Sequence, residues 1–153
     1  MYQLLLILHN LTRWIVLALG VWALYRAYSG LASGRAWTRA DRQAGALFAA
    51  FLGIQFILGV LFYIVPGTSV NAMLGNLGAA MRDPQLRFFI AEHSVVMFVA
   101  VLLSNIGAGA ARRAATDRSK FRRAAVFYTL TFLLVILAIP WPFLSYGRPL
   151  IRL

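Results

Sequence analysis

Four long apolar runs, parted by short charged stretches, constrain this chain more than any other feature. A helix needs about 20 predominantly apolar residues to cross the hydrocarbon core of a bilayer. Runs of that kind fall at about residues 2–28, 43–65, 86–111 and 123–143. The second stops at Pro66-Gly67, a helix terminator. The third follows Asp83-Pro84, which suits a cap and a first turn. The fourth carries Pro140 and Pro142, which should kink or finish it. The first lacks a basic leader, is interrupted by Arg13 and is followed by no small-residue cleavage site. It is expected to be a retained helix and not a signal peptide. An even number of spans with short connections implies an all-α, integral membrane, up-down four-helix bundle in a single domain.

Composition supports a lipid solvent. Of 153 residues, 61% are hydrophobic and 12% charged, against about a quarter charged in soluble domains. The chain has no cysteine, so disulfides and thiolate metal sites are excluded and the redox compartment is not legible. The net charge of +11 would suit nucleic acid, but the basic residues sit between apolar runs and form no stripe on an amphipathic surface. No nucleic-acid partner is expected. The first and third connections with their flanks hold Arg26, Arg35, Arg39, Arg42, Arg112, Arg113, Arg118, Lys120, Arg122 and Arg123. The second connection and the C-terminal stretch hold Arg82, Arg87, Arg148 and Arg152. Basic residues concentrate on the cytoplasmic side. Both termini are therefore expected on the periplasmic face of a bacterial inner membrane. Trp14, Trp22, Trp37 and Trp141, with Tyr2, Tyr25, Tyr28, Tyr63 and Tyr146, include candidates for interfacial belts.

The connections Ser29 to Arg42 and Arg112 to Arg123 are short and basic. Pro66 to Gln85 is longer, with room for a short interfacial helix around Val70 to Met81. Gly45, Ala49 and Gly53 form a small-residue stripe, read here as ordinary helix packing. Gln55, Ser94, Ser104, Asn105, Thr129 and Thr131 are scattered through the spans and suit interhelical hydrogen bonds.

Ionisable residues inside a span are costly and mark candidate sites. His9, Arg13, Glu92 and His93 qualify. Helices one and three run in the same direction. Counted from their outer ends at 1.5 Å per residue, the only two histidines both lie roughly 10 Å deep. His9 and Arg13 share a helix face. Helical side chains lean toward the N-terminus, so the Arg13 guanidinium should rise toward the histidine layer and pair with Glu92 or with an acidic group of a cofactor. Two neutral imidazoles facing each other in an apolar bundle suit the axial positions of a haem b iron. Arg13 or Arg87 would answer its propionates. Gly59 would make room for the macrocycle, and Gln55, Gly59 and Tyr63 share one face. Ligation of a chlorophyll-type pigment by one histidine, and packing histidines without any cofactor, are the other readings. No Walker loop, GxGxxG, HExxH or serine-elbow motif is present. With four acidic residues there is little for carboxylate catalysis or hard-metal sites.

The segment from Leu8-His9-Asn10-Leu11-Thr12 to Arg13-Trp14, the stretch Gly53-Ile54-Gln55, the run Arg87-Phe88-Phe89 through Glu92-His93, and the closing Ile139-Pro140-Trp141-Pro142-Phe143 resemble small bacterial four-helix membrane proteins labelled cytochrome b-like. The likeness covers most of the chain and keeps the order of the motifs. It implies a haem-binding or redox-complex membrane protein. One departure is Gly53, where that family has a histidine, so haem ligation would rest on His9 and His93. The sequence therefore carries two expectations. One is an electron-transfer protein serving a quinone or a periplasmic cytochrome. The other is a cofactor-free accessory subunit packed against other membrane subunits of a respiratory or photosynthetic complex.

Overall fold

The computed structural model of the protein describes residues 1–151. Arg152, counted above with the outer basic residues, lies outside them. The helices are α1 (Tyr2–Ser33), α2 (Arg39–Ile64), α3 (Ser69–Leu74), α4 (Leu77–Arg82), α5 (Pro84–Arg112) and α6 (Asp117–Ala138). Helices α1, α2, α5 and α6 are each long and apolar enough to cross a membrane. They pack as a ring, α1 on α2, α2 on α5, α5 on α6 and α6 back on α1. This is the all-α, up-down membrane bundle that the apolar runs imply. Only 28% of the apolar window is buried in α1, α2 and α5, and 39% in α6. Val21, Ile57, Val95, Ile106 and Leu137 are each more than half exposed. Helices this apolar on their outward faces suit lipid and not water.

Helix ends follow capping, not hydropathy. Helix α1 continues past Tyr28 and stops at Gly34, whose φ of 64° is the left-handed terminator that glycine adopts freely. Helix α6 begins at Asp117, six residues before the apolar run, because the Thr116 hydroxyl accepts from the Ser119 N–H at 3.2 Å. It ends at Ala138 and not near Phe143. A residue before proline is pushed out of the helical region, and Ile139, before Pro140, is extended at φ −71°, ψ 128°. The basic connections thus shrink to residues 34–38 and 113–116. The single interfacial helix expected around Val70 to Met81 is two, parted at Gly75 and Asn76. The Asn76 side chain caps the second through the Ala79 N–H at 3.1 Å.

At the basic end, Asp41 is buried and accepts from Arg26 Nε at 2.8 Å and Arg35 Nη2 at 2.7 Å. It also closes a capping box with Thr38. Arg35 lies between the spans, and its hydrogen bond to Asp41 raises its pKa above the usual arginine value. These contacts fasten α1 to α2.

Helix α6 carries aromatic rings that seat on glycines of all three long neighbours. Phe132 meets Gly20 and Phe121 meets Gly30 on α1, Tyr128 meets Gly45 on α2, and Phe127 meets Gly107 on α5. Tyr128 thereby crosses the bundle diagonal, edge-on to Phe48 at 6.1 Å. Phe48, Leu52 and Phe121 are at most 1% exposed, so the half nearer the basic connections is closed. Gly45 and Ala49 are packing positions, as read from the sequence. The stripe ends there, because a Cβ at Gly53 would meet nothing within 4 Å.

A Cβ at Gly30 would collide with the Phe121 ring, and overpacking of this kind costs about 1–3 kcal/mol. We expect Gly30→Ala to lower the unfolding midpoint in detergent, while Gly53→Ala leaves it unchanged. Equal midpoints for the two variants would contradict this packing.

Candidate functional site

The site forms at the end of the bundle away from the basic connections, where the diagonal is not closed by a bulky contact. His9 on α1 and His93 on α5 face each other there, with ring centroids 6.4 Å apart and planes at 66°. The two histidines read as one layer from the sequence are adjacent in space.

Local features of α5 and α6 set His93. Residues Phe88–Glu92 wind as a π-turn, closed by the His93 N–H on the Phe88 carbonyl. Such turns recur at functional sites. The Tyr63 hydroxyl of α2 supports the turn, donating to the Ile90 carbonyl at 2.6 Å beside the Ser94 hydroxyl, also at 2.6 Å. In a continuous helix the carbonyls of Ile136 and Ala138 would accept from the N–H groups four residues on. Those residues are Pro140 and Pro142, which have no N–H. The orphaned carbonyls take side-chain donors instead. The Trp141 indole donates to Ile136 at 2.9 Å, and His93 Nδ1 donates to Ala138 at 2.8 Å. The second bond places the proton of a neutral His93 on Nδ1 and leaves Nε2 with a lone pair.

His9 is held differently. Its ring is edge-on to Phe62 at 5.6 Å, and its Nδ1 is buried without a hydrogen-bond partner. Such a group costs about 1–3 kcal/mol. The backbone around it is clamped. Gln55 Nε2 donates to the His9 carbonyl at 2.9 Å, while its carbonyl oxygen takes the Thr12 hydroxyl. Gln55 therefore joins α1 to α2 as well as lining the site. A Cβ on Gly59 would sit 3.4 Å from the His9 ring, so this glycine lies directly beside the imidazole.

Around the pair lies a cavity of about 460 Å³, walled by His9, Arg13, Gln55, Gly59, His93 and Arg148 among others. Small-molecule and cofactor sites span roughly 300–1,000 Å³. A second space of about 50 Å³ also touches both histidines.

The expected Arg13–Glu92 pair does not form. Glu92 binds Arg87 at 2.7 Å, near the surface. A π-turn closes its hydrogen bonds over five residues, which brings positions 87 and 92 onto one face. Arg13 Nη2 instead donates to the Leu150 carbonyl, which also accepts from the Trp14 indole at 3.1 Å. Arg148 was missed by the sequence reading, which counted it only as an outer charge. It lies beyond the spans and has no spacing relation to the histidines. Tyr63, read both as an interfacial aromatic and as sharing a face with Gln55 and Gly59, lines the site.

A haem iron held by two axial imidazoles would need a pair of rings about this far apart, and His9 and His93 are the pair that could supply it. A metal–imidazole bond is about 2 Å long, and each ring centroid lies one ring radius behind its nitrogen, so a separation of 6.4 Å admits one ion between the rings. Metal-binding histidines commonly donate their other N–H to a carbonyl, as His93 does. Among the described residues no group of three or more His, Cys, Asp or Glu stands together. Two imidazoles hold an ion firmly only when other ligands complete its coordination, as a macrocycle does. No family model matches the chain, and no curated protein or solved structure is found to be similar to it.

Without any ligand, His93→Phe strips the Ala138 carbonyl of its donor and should cost about 1–3 kcal/mol. His9→Phe removes an unpartnered nitrogen and should be close to neutral. Equilibrium unfolding in mixed micelles separates the two, and equal losses would contradict the asymmetry.

Proposed function

We propose that this chain is a membrane b-type haem protein that passes electrons near the periplasmic face of a bacterial inner membrane, within a larger redox assembly. The facing His9–His93 pair, with the His93 tautomer fixed by Ala138, carries this reading. His9 and His93 would hold its iron from either side. When bound, the haem supplies a one-electron redox centre whose potential depends on ligands, burial and nearby charge.

The chain's own groups have separate parts. The Ala138 carbonyl holds the His93 proton on Nδ1 and strengthens Nε2 as a ligand. Gln55 fixes the backbone of His9, and Gly59 keeps the space beside its ring. Phe62 and Met97 add buried apolar walls beside the pair. Arg13 offsets a carboxylate of the macrocycle. The partner is a quinone or a periplasmic cytochrome, and the apolar outer faces of the helices suit other membrane subunits as well as lipid. Ligation of a chlorophyll-type pigment by one histidine leaves the second imidazole without a role. A cofactor-free accessory subunit leaves only His9 without one, since His93 still serves the Ala138 carbonyl.

A reduced-minus-oxidised spectrum of the purified chain should show the sharp α-band of b haem at stoichiometric loading. His9→Ala and His93→Ala should each abolish it while far-UV circular dichroism retains the helical signal. A flat spectrum from folded wild type, or bands untouched by both substitutions, would sink the proposal.

A further inference from the structure

The acidic residues of the chain number four, and each is engaged elsewhere. Asp41 is held by Arg26 and Arg35, Glu92 by Arg87 and Asp117 by Lys120. Asp83 caps the first turn of α5 through the Gln85 and Leu86 N–H groups at 2.8 and 3.0 Å. Two guanidiniums nevertheless line the histidine cavity, Arg13 from α1 and Arg148 from the segment after α6. Among the described residues neither has a carboxylate partner. Arg13 reaches a backbone carbonyl and Arg148 lies over the Phe89 ring at 4.7 Å. Two cations on one partly apolar cavity, with no side-chain carboxylate left to neutralise them, make a site for an anion brought by the ligand.

The segment that carries Arg148 is itself fastened to the site. Tyr146 stacks on Phe88 at 3.9 Å, and Phe88 lies 5.8 Å from the His93 ring. The Arg148 N–H donates to the Pro140 carbonyl at 3.0 Å, and the Leu150 carbonyl accepts from Arg13 and Trp14. The segment after α6 thus contributes Arg148 and Pro149 to the cavity wall.

We infer that Arg13 and Arg148 together clamp a dicarboxylate ligand, so that the segment after α6 is part of the binding site. On the haem reading, on which this inference rests, the two carboxylates are the propionates. Arg13 and Arg148 would hold them at the cavity wall.

The test compares hemin with hemin dimethyl ester, in which both carboxylates are blocked, by titration into the purified chain in nanodiscs. Hydrogen bonds to charged groups contribute about 1.5–3 kcal/mol, so each guanidinium should be worth at least roughly tenfold in affinity. Wild type should bind hemin far more tightly than the ester. Arg13→Gln and Arg148→Gln should each narrow that gap about tenfold and leave ester binding unchanged, which also shows that the variants are folded. Equal affinity of wild type for hemin and ester would overturn the clamp and leave the haem reading standing. A gap that survives Arg148→Gln would remove the segment after α6 from the site. Failure of folded wild type to bind either compound would overturn the haem reading and the clamp with it.

Discussion

The hydrogen bond from His93 Nδ1 to the Ala138 carbonyl is the contact on which the site depends. In a bilayer no water reaches a bare carbonyl, so a helix end within reach of lipid must find donors in the protein. Pro140 and Pro142 withhold two of them from α6. The carbonyls at 136 and 138 are met by Trp141 and His93. The end of one helix thus sets the ring of a residue on another. The proton is placed on one nitrogen and the other is left available. A turn that looks like a simple stop also prepares a ligand.

The two ends of the bundle solve different problems. Near the basic connections, Tyr128 crosses the diagonal onto Gly45, and Phe121 and Phe127 occupy notches on α1 and α5. That half is packed shut. At the other end the diagonal is spanned by two imidazoles, with Gly59 holding space beside one of them. Small residues thus serve opposite purposes along the bundle. Some admit a neighbour's ring, and Gly59 keeps a volume open. The unpartnered Nδ1 of His9 and the irregular π-turn of α5 at Phe88–Glu92 fall in the open half. Packed proteins tolerate such costs mainly at functional sites.

Charge follows the same division. Asp41 is buried against two arginines where it fastens a connection. At the opposite end Arg13 and Arg148 line a cavity and, among the described residues, have no side-chain carboxylate committed to them. A chain this poor in acids has little freedom to neutralise cations internally, so the place where two remain is informative about what the cavity takes.

The sequence by itself determined the solvent, the number of spans and their up-down order. Those depend on long apolar runs and short connections, which are local properties of the chain. It also determined that His9 and His93 share a layer, because depth along a helix is a count of residues. It misplaced helix ends by up to six residues, since hydropathy reports where lipid begins and capping decides where winding stops. Only the tertiary structure decided the rest of the site. The π-turn changes which residues share a face, so Glu92 turns to Arg87 and away from Arg13. Gln55 becomes a clamp because the His9 carbonyl and the Thr12 hydroxyl lie opposite it on another helix. Arg148 joins the cavity only when the chain folds back past Pro140. Each of these is a relation between distant segments. Nothing in spacing or composition encodes it, because the donors and acceptors find each other only after the helices have packed.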